Sequence, residues 1–379
     1  MKNKVKAAKK TGIAIILGAC LLLLSFCTAC GSASQSASAD SSDEEILSAT
    51  VEFYAMDTIH QIVCYGPEAQ EAADAAQAEI TRIDELFSVG NAESEVAQIN
   101  ANGGGSLSDD GLSVLSSAFD IYNTTDGAFD ITIYPLMELW GFTTESYYVP
   151  EQEELDAYTA NVGMDKLTVD SENKTVTLSE GQGIDYGGIA KGYTADRLSE
   201  IFSEYDIVSA KASLGGNVLC WGTKPDGSLW KVGIENPELP EEDIFDTENI
   251  DADAGTIALI VSVADENVVT SGGYERYFTD EATGEVYYHI LDPKTGAPVK
   301  TDVVSSTIVT QNGVYADALS TATFVMGKDK SVEYWRTYKD VYDFEMILLC
   351  SDGYAYVTEG LQDIIKDKAW SSVIVKADE

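Results

Sequence analysis

Apolar residues recur at two different spacings along this chain, and each spacing predicts one type of secondary structure. Between residues 73 and 87 they lie three or four positions apart, which predicts a helix that begins after Pro67. Residues 112–122 predict a second helix, and residues 198–202 continue a third one after a glycine-rich turn. Shorter apolar runs predict strands at residues 51–56, 62–65, 166–170, 175–178, 207–209, 256–263, 286–291, 305–310 and 346–349.

The order of these helices and strands is mixed rather than strictly alternating. We therefore predict an α+β fold with mixed, largely antiparallel sheets and packed helices. Residues 46–379 contain no second segment with the composition of a linker, so we predict that they form one two-lobed domain. The acidic, proline-bearing residues 235–254 are predicted to be a surface loop.

The first 45 residues have a different composition from the rest. A lysine-rich start and the apolar residues 13–26 are typical of an export signal. Small residues precede Cys30, which predicts a lipoprotein signal peptide at residues 1–29 and lipidation of Cys30; an uncleaved transmembrane anchor is the alternative. The Ser- and Ala-rich residues 30–45 are predicted to be a flexible tether. We thus expect an extracytoplasmic protein, anchored by lipid to the bacterial cell membrane.

Acidic residues greatly outnumber basic ones, with 64 Asp and Glu against 23 Lys and Arg and a formal net charge of −41. This excess argues against nucleic acid as a partner, because its phosphates would be repelled. An anionic substrate would need a cation beside it. Beyond Cys30 only three cysteines remain, so at most one disulfide could form and no Cys/His zinc site is indicated.

A glycine-rich turn at residues 185–196 (DYGGIAKGYTAD) is predicted to join an apolar strand to a helix. Gly187, Gly188 and Gly192 would let the backbone approach a ligand, and the first amides of the helix would be free donors for a phosphate. Lys191 would add a positive charge. Neither a P-loop nor a dinucleotide-binding fingerprint is present, so structural packing and phosphate binding remain equal alternatives.

Three further segments carry side chains suited to chemistry. Asp317 and Thr321 lie four residues apart and would share one face of a helix, as a hard-oxygen pair suited to Mg²⁺ or, alternatively, with Asp317 as a helix N-cap. His289 ends a strand beside an Asp-Pro turn, where it could act in proton transfer or be structural. In residues 126–132, Phe129 would be core and Asp130 a cap in the simplest interpretation.

Taken together, these segments resemble the FAD:protein FMN transferases of the ApbE family. The resemblance covers nearly all of the predicted domain and rests on the order and number of its motifs. The matching segments are residues 56–58, 87–88, 94–100, 126–132, 185–196, 214–216, 270–276, 289–296 and 316–321.

The resemblance implies a T-fold-like domain with a magnesium site and a flavin site. It implies that Mg²⁺ is held by the Asp317 carboxylate, the Thr321 hydroxyl and backbone oxygens around Gly188 and Ser320, together with FAD phosphates. It also implies a flavin site lined by Met56, Ala128, Phe129, Asp130, Asp185, Lys191 and Leu291. His289 and Asp185 are the candidate bases, and the residues leave the choice between them open.

The implied reaction cleaves FAD, releases AMP and attaches FMN to a Thr or Ser hydroxyl of a partner protein. The expected partner is an exported or membrane protein with a Ser-Gly-Ala-Thr-like segment. FAD pyrophosphatase activity that gives free FMN and AMP, or a non-catalytic flavin-binding lipoprotein, are the alternatives. Two positions depart from the family pattern, since Asp57 stands where Gly is usual and Gly90 where an aromatic residue is usual.

Overall fold

Nine strands form the main sheet of the molecule, which is described by a computed structural model over residues 47–238 and 255–378. The predicted signal peptide, Cys30 and the tether lie outside the described residues, as does most of the predicted acidic loop. The strands are β1 (Ser48–Ala55), β2 (Thr58–Tyr65), β3 (Gly104–Ser106), β4 (Thr168–Asp170), β5 (Thr175–Thr177), β6 (Ser209–Leu214), β7 (Asn217–Trp221), β8 (Trp230–Glu235), β9 (Ile257–Val263), β10 (Glu266–Gly272), β11 (Tyr277–Thr279), β12 (Val286–Tyr288), β13 (Val303–Thr310), β14 (Glu345–Cys350), β15 (Tyr354–Thr358), β16 (Ile365–Asp367) and β17 (Ser371–Val375).

Eight α-helices accompany these strands within the described residues, and several of them pack on the main sheet. The helices are α1 (Ala69–Phe87), α2 (Glu95–Asn102), α3 (Asp109–Thr124), α4 (Tyr134–Trp140), α5 (Gln152–Thr159), α6 (Ala190–Phe202), α7 (Gly313–Met326) and α8 (Lys328–Tyr342). The α+β class is therefore confirmed, and the helices expected after Pro67 and around residues 112–122 are α1 and α3. Among the described residues, no helix combines the length and apolar character needed to cross a membrane.

The main sheet runs in the order β1-β2-β6-β7-β10-β13-β14-β15-β17, and only its last pair is parallel. Three small sheets of two or three strands complete the β-structure described. The cysteines Cys64, Cys220 and Cys350 are buried and unpaired, so no disulfide links the described residues.

The topology gathers several chain turns at one end of this sheet. The β1–β2 hairpin turns at Met56 and Asp57, and β2 pairs with β6, which turns into β7 at Gly215 and Gly216. Strand β10 ends beside them, because the Thr270 amide donates to the Gly216 carbonyl over 3.1 Å. Helix α7, capped by Asn312, packs against β10 at this end of the sheet.

Two local expectations from the sequence are wrong. The residues before the glycine turn are not a strand. The Ile184 amide donates to the Asn100 side chain in α2 over 2.7 Å, and the Ile184 carbonyl accepts from it over 2.8 Å, so neither group is available to a neighbouring strand. Strand β12 ends at Tyr288 rather than at Leu291, which forms only an isolated bridge to Pro298. Both segments are apolar because they are buried, not because they extend a sheet.

Candidate functional site

Two hydrogen bonds of Asp185, one from its backbone and one from its side chain, fix the start of the glycine turn. The Asp185 amide donates to the Ile131 carbonyl, and the Asp185 carboxylate accepts from the Gly187 amide, both over 2.8 Å. Burial raises the pKa of Asp185, whereas the Gly187 amide, Arg276 and Lys191 lower it. Asp185 therefore shapes the turn, and its carboxyl lies within reach of two cationic side chains.

Gly192 serves helix packing rather than ligand approach. A Cβ there would lie 2.1 Å from the Gly313 carbonyl oxygen and 2.6 Å from the Asp317 Cβ. Gly313 is constrained in return, since its own Cβ would lie 2.5 Å from the Gly192 carbonyl oxygen. Helices α6 and α7 thus touch backbone to backbone. The packing interpretation of the glycine turn is correct at Gly192.

The first amides of α6 were expected to be free phosphate donors, and for two of them this is wrong. The Ala190 amide donates to the Tyr186 carbonyl, and the Gly192 amide donates to the Asp317 carboxylate, each over 2.8 Å. The glycine turn and α7 are thereby tied together. Asp196, further along α6, accepts from the Gly313 and Val314 amides at 2.6 and 2.8 Å and so anchors the start of α7.

Asp317 is buried inside α7, with 3% of its surface exposed, and it is not the N-cap of that helix. No ion pair of its carboxylate occurs within residues 47–238 and 255–378. An ionised carboxylate without a cation is costly to bury. Asp317 is therefore the candidate carboxylate ligand for a cation at this site.

Hard oxygen atoms, which a magnesium ion prefers, also occur one turn further along α7 and on β10. One turn after Asp317, the Thr321 hydroxyl lies 3.3 Å from the Ser271 hydroxyl of β10. A Cβ on Gly188 would lie 3.6 Å from the same Thr321 oxygen, so the glycine turn passes directly over it. The described residues contain no cluster of three or more His, Cys, Asp or Glu ligands. A single carboxylate with hydroxyl and backbone oxygens fits Mg²⁺ completed by water and phosphate.

Ser320 is fully buried, and its hydroxyl is already occupied. It donates to the Asp317 carbonyl over 2.8 Å and lies 2.7 Å from the Ser271 hydroxyl. Ser271 was not singled out in the sequence, although it falls within the matching segment 270–276. Its alternating position on β10, facing α7, could have indicated it only once that strand was paired.

His289 is held by a carbonyl on the neighbouring strand segment. Its Nδ1 lies 3.2 Å from the Arg276 carbonyl oxygen, which also accepts the His289 amide at 3.0 Å. A carbonyl can only accept, so Nδ1 carries the proton and Nε2 keeps its lone pair. Burial lowers the pKa of His289 to about 4, and the charges of Arg276 and Lys191 contribute. The imidazole is therefore a neutral base at ordinary pH.

Arg276 and Lys191 bring positive charge to this acidic site. The Arg276 guanidinium donates to the Phe142 carbonyl over 2.6 Å, and its charge lowers the pKa of both His289 and Asp185. Burial raises the pKa of Glu275 to about 7; the charge of Lys191 lowers this pKa and the charge of Asp317 raises it. The charges of Lys191 and Asp317 therefore both reach Glu275. Arg276 was not a predicted site residue, but it follows directly from the matching segment 270–276.

Residues 56–344 of the chain match the ApbE family, which covers most of the sequence. The chain belongs to the ApbE family. An FAD:protein FMN transferase of Haemophilus influenzae is 31% identical over 232 residues, or 60% of this chain and 63% of that protein. One from Vibrio cholerae is 30% identical over 265 residues, or 68% of this chain and 75% of the relative.

Solved ApbE structures share the fold. The ApbE protein of Thermotoga maritima superimposes with a TM-score of 0.73 at 31% identity, covering 84% of this chain and 99% of that one. The flavin transferase ApbE of Vibrio cholerae gives a TM-score of 0.70 at 25% identity, again over 84% of this chain and 99% of the other. The residues 56–344 that match the family include the glycine turn, β10 and α7.

Among the residues that the ApbE resemblance assigned to the flavin, some lie in turns and others are buried. Met56 forms the β1–β2 turn with φ 47°, and its sulfur lies 3.9 Å from the Thr194 hydroxyl of α6. Ala128, Phe129 and Leu291 are buried, and the Phe129 ring would lie 3.2 Å from a Cβ on Gly188. The buried Phe129 ring therefore packs against the glycine turn, in agreement with the prediction that it is a core residue.

Asp130 is a cap, as the simplest interpretation of its segment predicted. Its Oδ1 accepts from the Thr132 amide over 2.8 Å and from the Thr132 hydroxyl over 2.5 Å, at the start of a short 3₁₀ helix. Burial raises the pKa of Asp130 to about 6, and the hydrogen bonds from Thr132 lower it. In this arrangement Asp130 orders the chain that carries Ala128 and Phe129.

The two departures from the ApbE pattern have different structural consequences. Asp57 has φ 59°, a left-handed conformation that glycine adopts more freely, and its charge acts on Asp185 nearby. Gly90 lies in the loop after α1, and a Cβ there would meet only the Ser88 hydroxyl at 3.7 Å. A larger residue would fit at position 90, so the space that an aromatic side chain would occupy is open in this chain.

Proposed function

We propose that this chain is a flavin transferase that moves FMN from FAD to a Thr or Ser hydroxyl of a partner protein. The observation that carries the proposal is the buried Asp317 carboxylate, which lacks a protein cation among the described residues and lies under the glycine turn. Membership of the ApbE family and the activity of its relatives support it. The chemistry is phosphoryl transfer, in which positioning and charge neutralisation do most of the catalysis.

Magnesium would be held by the Asp317 carboxylate and the Thr321 hydroxyl, with backbone oxygens near Gly188 and Ser320. When bound, the ion supplies positive charge that offsets the diphosphate and the charge that develops on it. Lys191 and Arg276 add fixed positive charge to the same region. In a chain of net charge −41, these groups would allow the site to accept an anionic substrate.

The transfer breaks the phosphoanhydride bond of FAD and forms a phosphoester bond to the acceptor. The acceptor hydroxyl oxygen attacks the FMN phosphorus, and the bond from that phosphorus to the bridging oxygen breaks. AMP leaves with the bridging oxygen and its electron pair. The hydroxyl proton passes to Nε2 of His289, whose lone pair is free because Nδ1 donates to the Arg276 carbonyl.

His289 is the better of the two candidate bases. Its low pKa keeps it unprotonated, whereas the Asp185 carboxylate is already engaged with the Gly187 amide. Asp185 instead fixes the glycine turn that faces Thr321 and Asp317. We assign proton transfer to His289 and positioning to Asp185.

The proposed acceptor is an exported or membrane protein with a Ser-Gly-Ala-Thr-like segment, and the proposed location is extracytoplasmic with a lipid on Cys30. The lysine-rich, apolar N-terminus and the small residues before Cys30 support this location. This chain contains no Ser-Gly-Ala-Thr segment, so a different protein would receive the FMN.

The test is incubation of residues 46–379 with FAD, Mg²⁺ and a peptide that carries Ser-Gly-Ala-Thr, followed by mass spectrometry. We expect the peptide to gain the mass of FMN less one water, together with free AMP. Free FMN and AMP with an unmodified peptide would instead indicate an FAD pyrophosphatase. FAD that stays intact and bound would indicate a non-catalytic flavin-binding protein.

A further inference from the structure

Two large apolar side chains are exposed to solvent near the turn of the β1–β2 hairpin. Tyr54 is 69% exposed and Ile59 is 59% exposed, and the two residues pair directly across the strands. The opposite face of the same hairpin is buried, with Ala55 and His60 at 6% and 0% exposure. The hairpin therefore presents outward an apolar pair that its own core does not use.

This pair lies beside the hairpin turn that carries Met56, one of the residues assigned to the flavin. The turn that follows Tyr54 is Met56–Asp57; burial and the charge of Asp57 raise the pKa of Tyr54, and the charge of Arg276 lowers it. Arg276 is the residue whose carbonyl holds His289. Its neighbour Tyr277 begins β11 and is 50% exposed. We call Tyr54, Ile59 and Tyr277 the apolar rim.

Charge limits what could cover the apolar rim. After burial, the charges of Asp57, Glu145 and Asp84 raise the pKa of Tyr54 and only that of Arg276 lowers it, so acidic groups predominate around this side chain. A second copy of this chain, with its net charge of −41, would be repelled, and so would an anionic lipid surface. A neutral or basic polypeptide meets no such penalty. Exposed aromatic side chains are also enriched where proteins bind one another.

We infer that the apolar rim docks the segment of the acceptor polypeptide that carries the modified hydroxyl, and that this segment is neutral or basic. The inference rests on the proposed function, because it requires a polypeptide acceptor. Tyr54 and Ile59 would contact the acceptor from the β1–β2 hairpin and Tyr277 from β11. None of the three would contact the reacting atoms.

The test compares the double variant Tyr54→Ser, Ile59→Ser with the wild type in the FMN-transfer reaction. The probes are two synthetic peptides with a central Ser-Gly-Ala-Thr, one flanked by Lys and neutral residues and one flanked by Asp. We expect the wild type to prefer the first peptide and the double variant to raise its KM about tenfold or more, as loss of interface anchors does. Affinity for FAD and kcat at saturating peptide should stay unchanged.

A matched control removes an exposed apolar pair from the far edge of the same sheet. Tyr354 on β15 and Val373 on β17 are 49% and 38% exposed, and Tyr354→Ser, Val373→Ser should leave KM unchanged. An equal KM for the rim variant and this control would overturn the inference, as would a wild-type preference for the Asp-flanked peptide. Loss of self-association or of vesicle binding in the rim variant, with KM unchanged, would assign the rim to a second copy or to a membrane.

Failure of the docking surface can be told apart from failure of the proposed function. If the wild type modifies the peptide and the rim variant does so with the same KM, only the docking inference is wrong. If the wild type binds FAD and forms no adduct on either peptide, the transferase activity itself is contradicted, and the docking inference is contradicted with it.

Discussion

The backbone amide of Gly192 donates to the carboxylate of Asp317 over 2.8 Å, across 125 residues of sequence. This bond holds the proposed magnesium ligand at a fixed position beneath the glycine turn. It can form only because both Gly192 and Gly313 lack a side chain where α6 and α7 touch. Helix packing and the site are therefore one structural feature.

Gly192→Ala tests this relationship. Its Cβ would meet backbone at 2.1 Å, so α7 must move away from α6. We expect the free energy of unfolding to fall by about 3 kcal/mol, the upper end of overpacking in a core, and the affinity for Mg²⁺ to fall with it. Chemical denaturation and Mg²⁺ titration measure these effects. The control is Gly90→Ala, where the nearest atom lies 3.7 Å away, and equal stability of the two variants would contradict the account.

Asp317→Asn should abolish the effect of Mg²⁺ without unfolding the protein. The neutral amide keeps an oxygen for the Gly192 amide but no longer compensates a cation in a buried site. We expect Mg²⁺ to raise the melting temperature of the wild type and not that of the variant. Asp340→Asn, on the exposed surface of α8, is the control. If the melting temperature of the Asp317→Asn variant still responds to Mg²⁺, the ion binds elsewhere.

Helix α1 illustrates what the sequence could predict. Its apolar residues repeat at helical spacing because one face packs on the sheet, and the structure buries that face, including Ala73, Ala76, Ile80 and Ile83. The glycine turn illustrates what it could not. Gly192 is required by Gly313, which is distant in sequence, so no local pattern distinguishes packing from ligand binding there.

The candidate site was predictable in part for the same reason. Asp317 and Thr321 share a helix face, which follows from their spacing alone. Ser271 comes from β10, and its contact with Thr321 depends on how that strand packs on α7. The capping role of Asp130 was predicted because it depends on Thr132 only two residues away.

The pH dependence of FMN transfer should follow the lowered pKa of His289. The neutral imidazole is the active base, and its pKa is lowered to about 4 by burial and by the positive charge of Arg276 and Lys191. Activity is therefore lost only as the pH falls through about 4, rather than through the unperturbed value of about 6.5. His289→Gln should reduce kcat about 100-fold or more while FAD still binds. An acid limb near pH 6.5 in the wild type would argue against this assignment.

Asp57→Gly should both stabilise the fold and tighten FAD binding. Glycine adopts the φ of 59° at this turn without strain, which we expect to add about 0.5 kcal/mol to the free energy of unfolding. The variant also removes a negative charge beside Asp185, so FAD should bind a few-fold more tightly. Lys174→Gly, at φ 49° in the β4–β5 hairpin, separates the effects. This control should leave FAD affinity unchanged; a matching change in affinity would refute the charge argument.

Glu266 should make stability depend on pH far from the site. Burial, with the charges of Asp343 and Asp265, raises its pKa to about 7, and its Oε2 has no hydrogen-bond partner among the described residues. The folded state therefore holds the proton more tightly than the unfolded state, and this stability is lost as the pH rises through about 7. We expect Glu266→Gln to raise the free energy of unfolding at pH 8 by at most about 3 kcal/mol and to change little near pH 4. Urea denaturation at the two pH values measures this, with the exposed Glu333→Gln as control. A gain that is the same at both pH values would contradict it.

The most direct measurement of the central claim follows AMP and the FMN-modified acceptor in one reaction of wild-type protein, FAD, Mg²⁺ and the Ser-Gly-Ala-Thr peptide. The account predicts that AMP and FMN-peptide appear in equal amounts, and that Asp317→Asn produces neither. AMP released with free FMN and no modified peptide would contradict transfer to protein. Undiminished transfer by Asp317→Asn would contradict the role given to the carboxylate beneath the glycine turn.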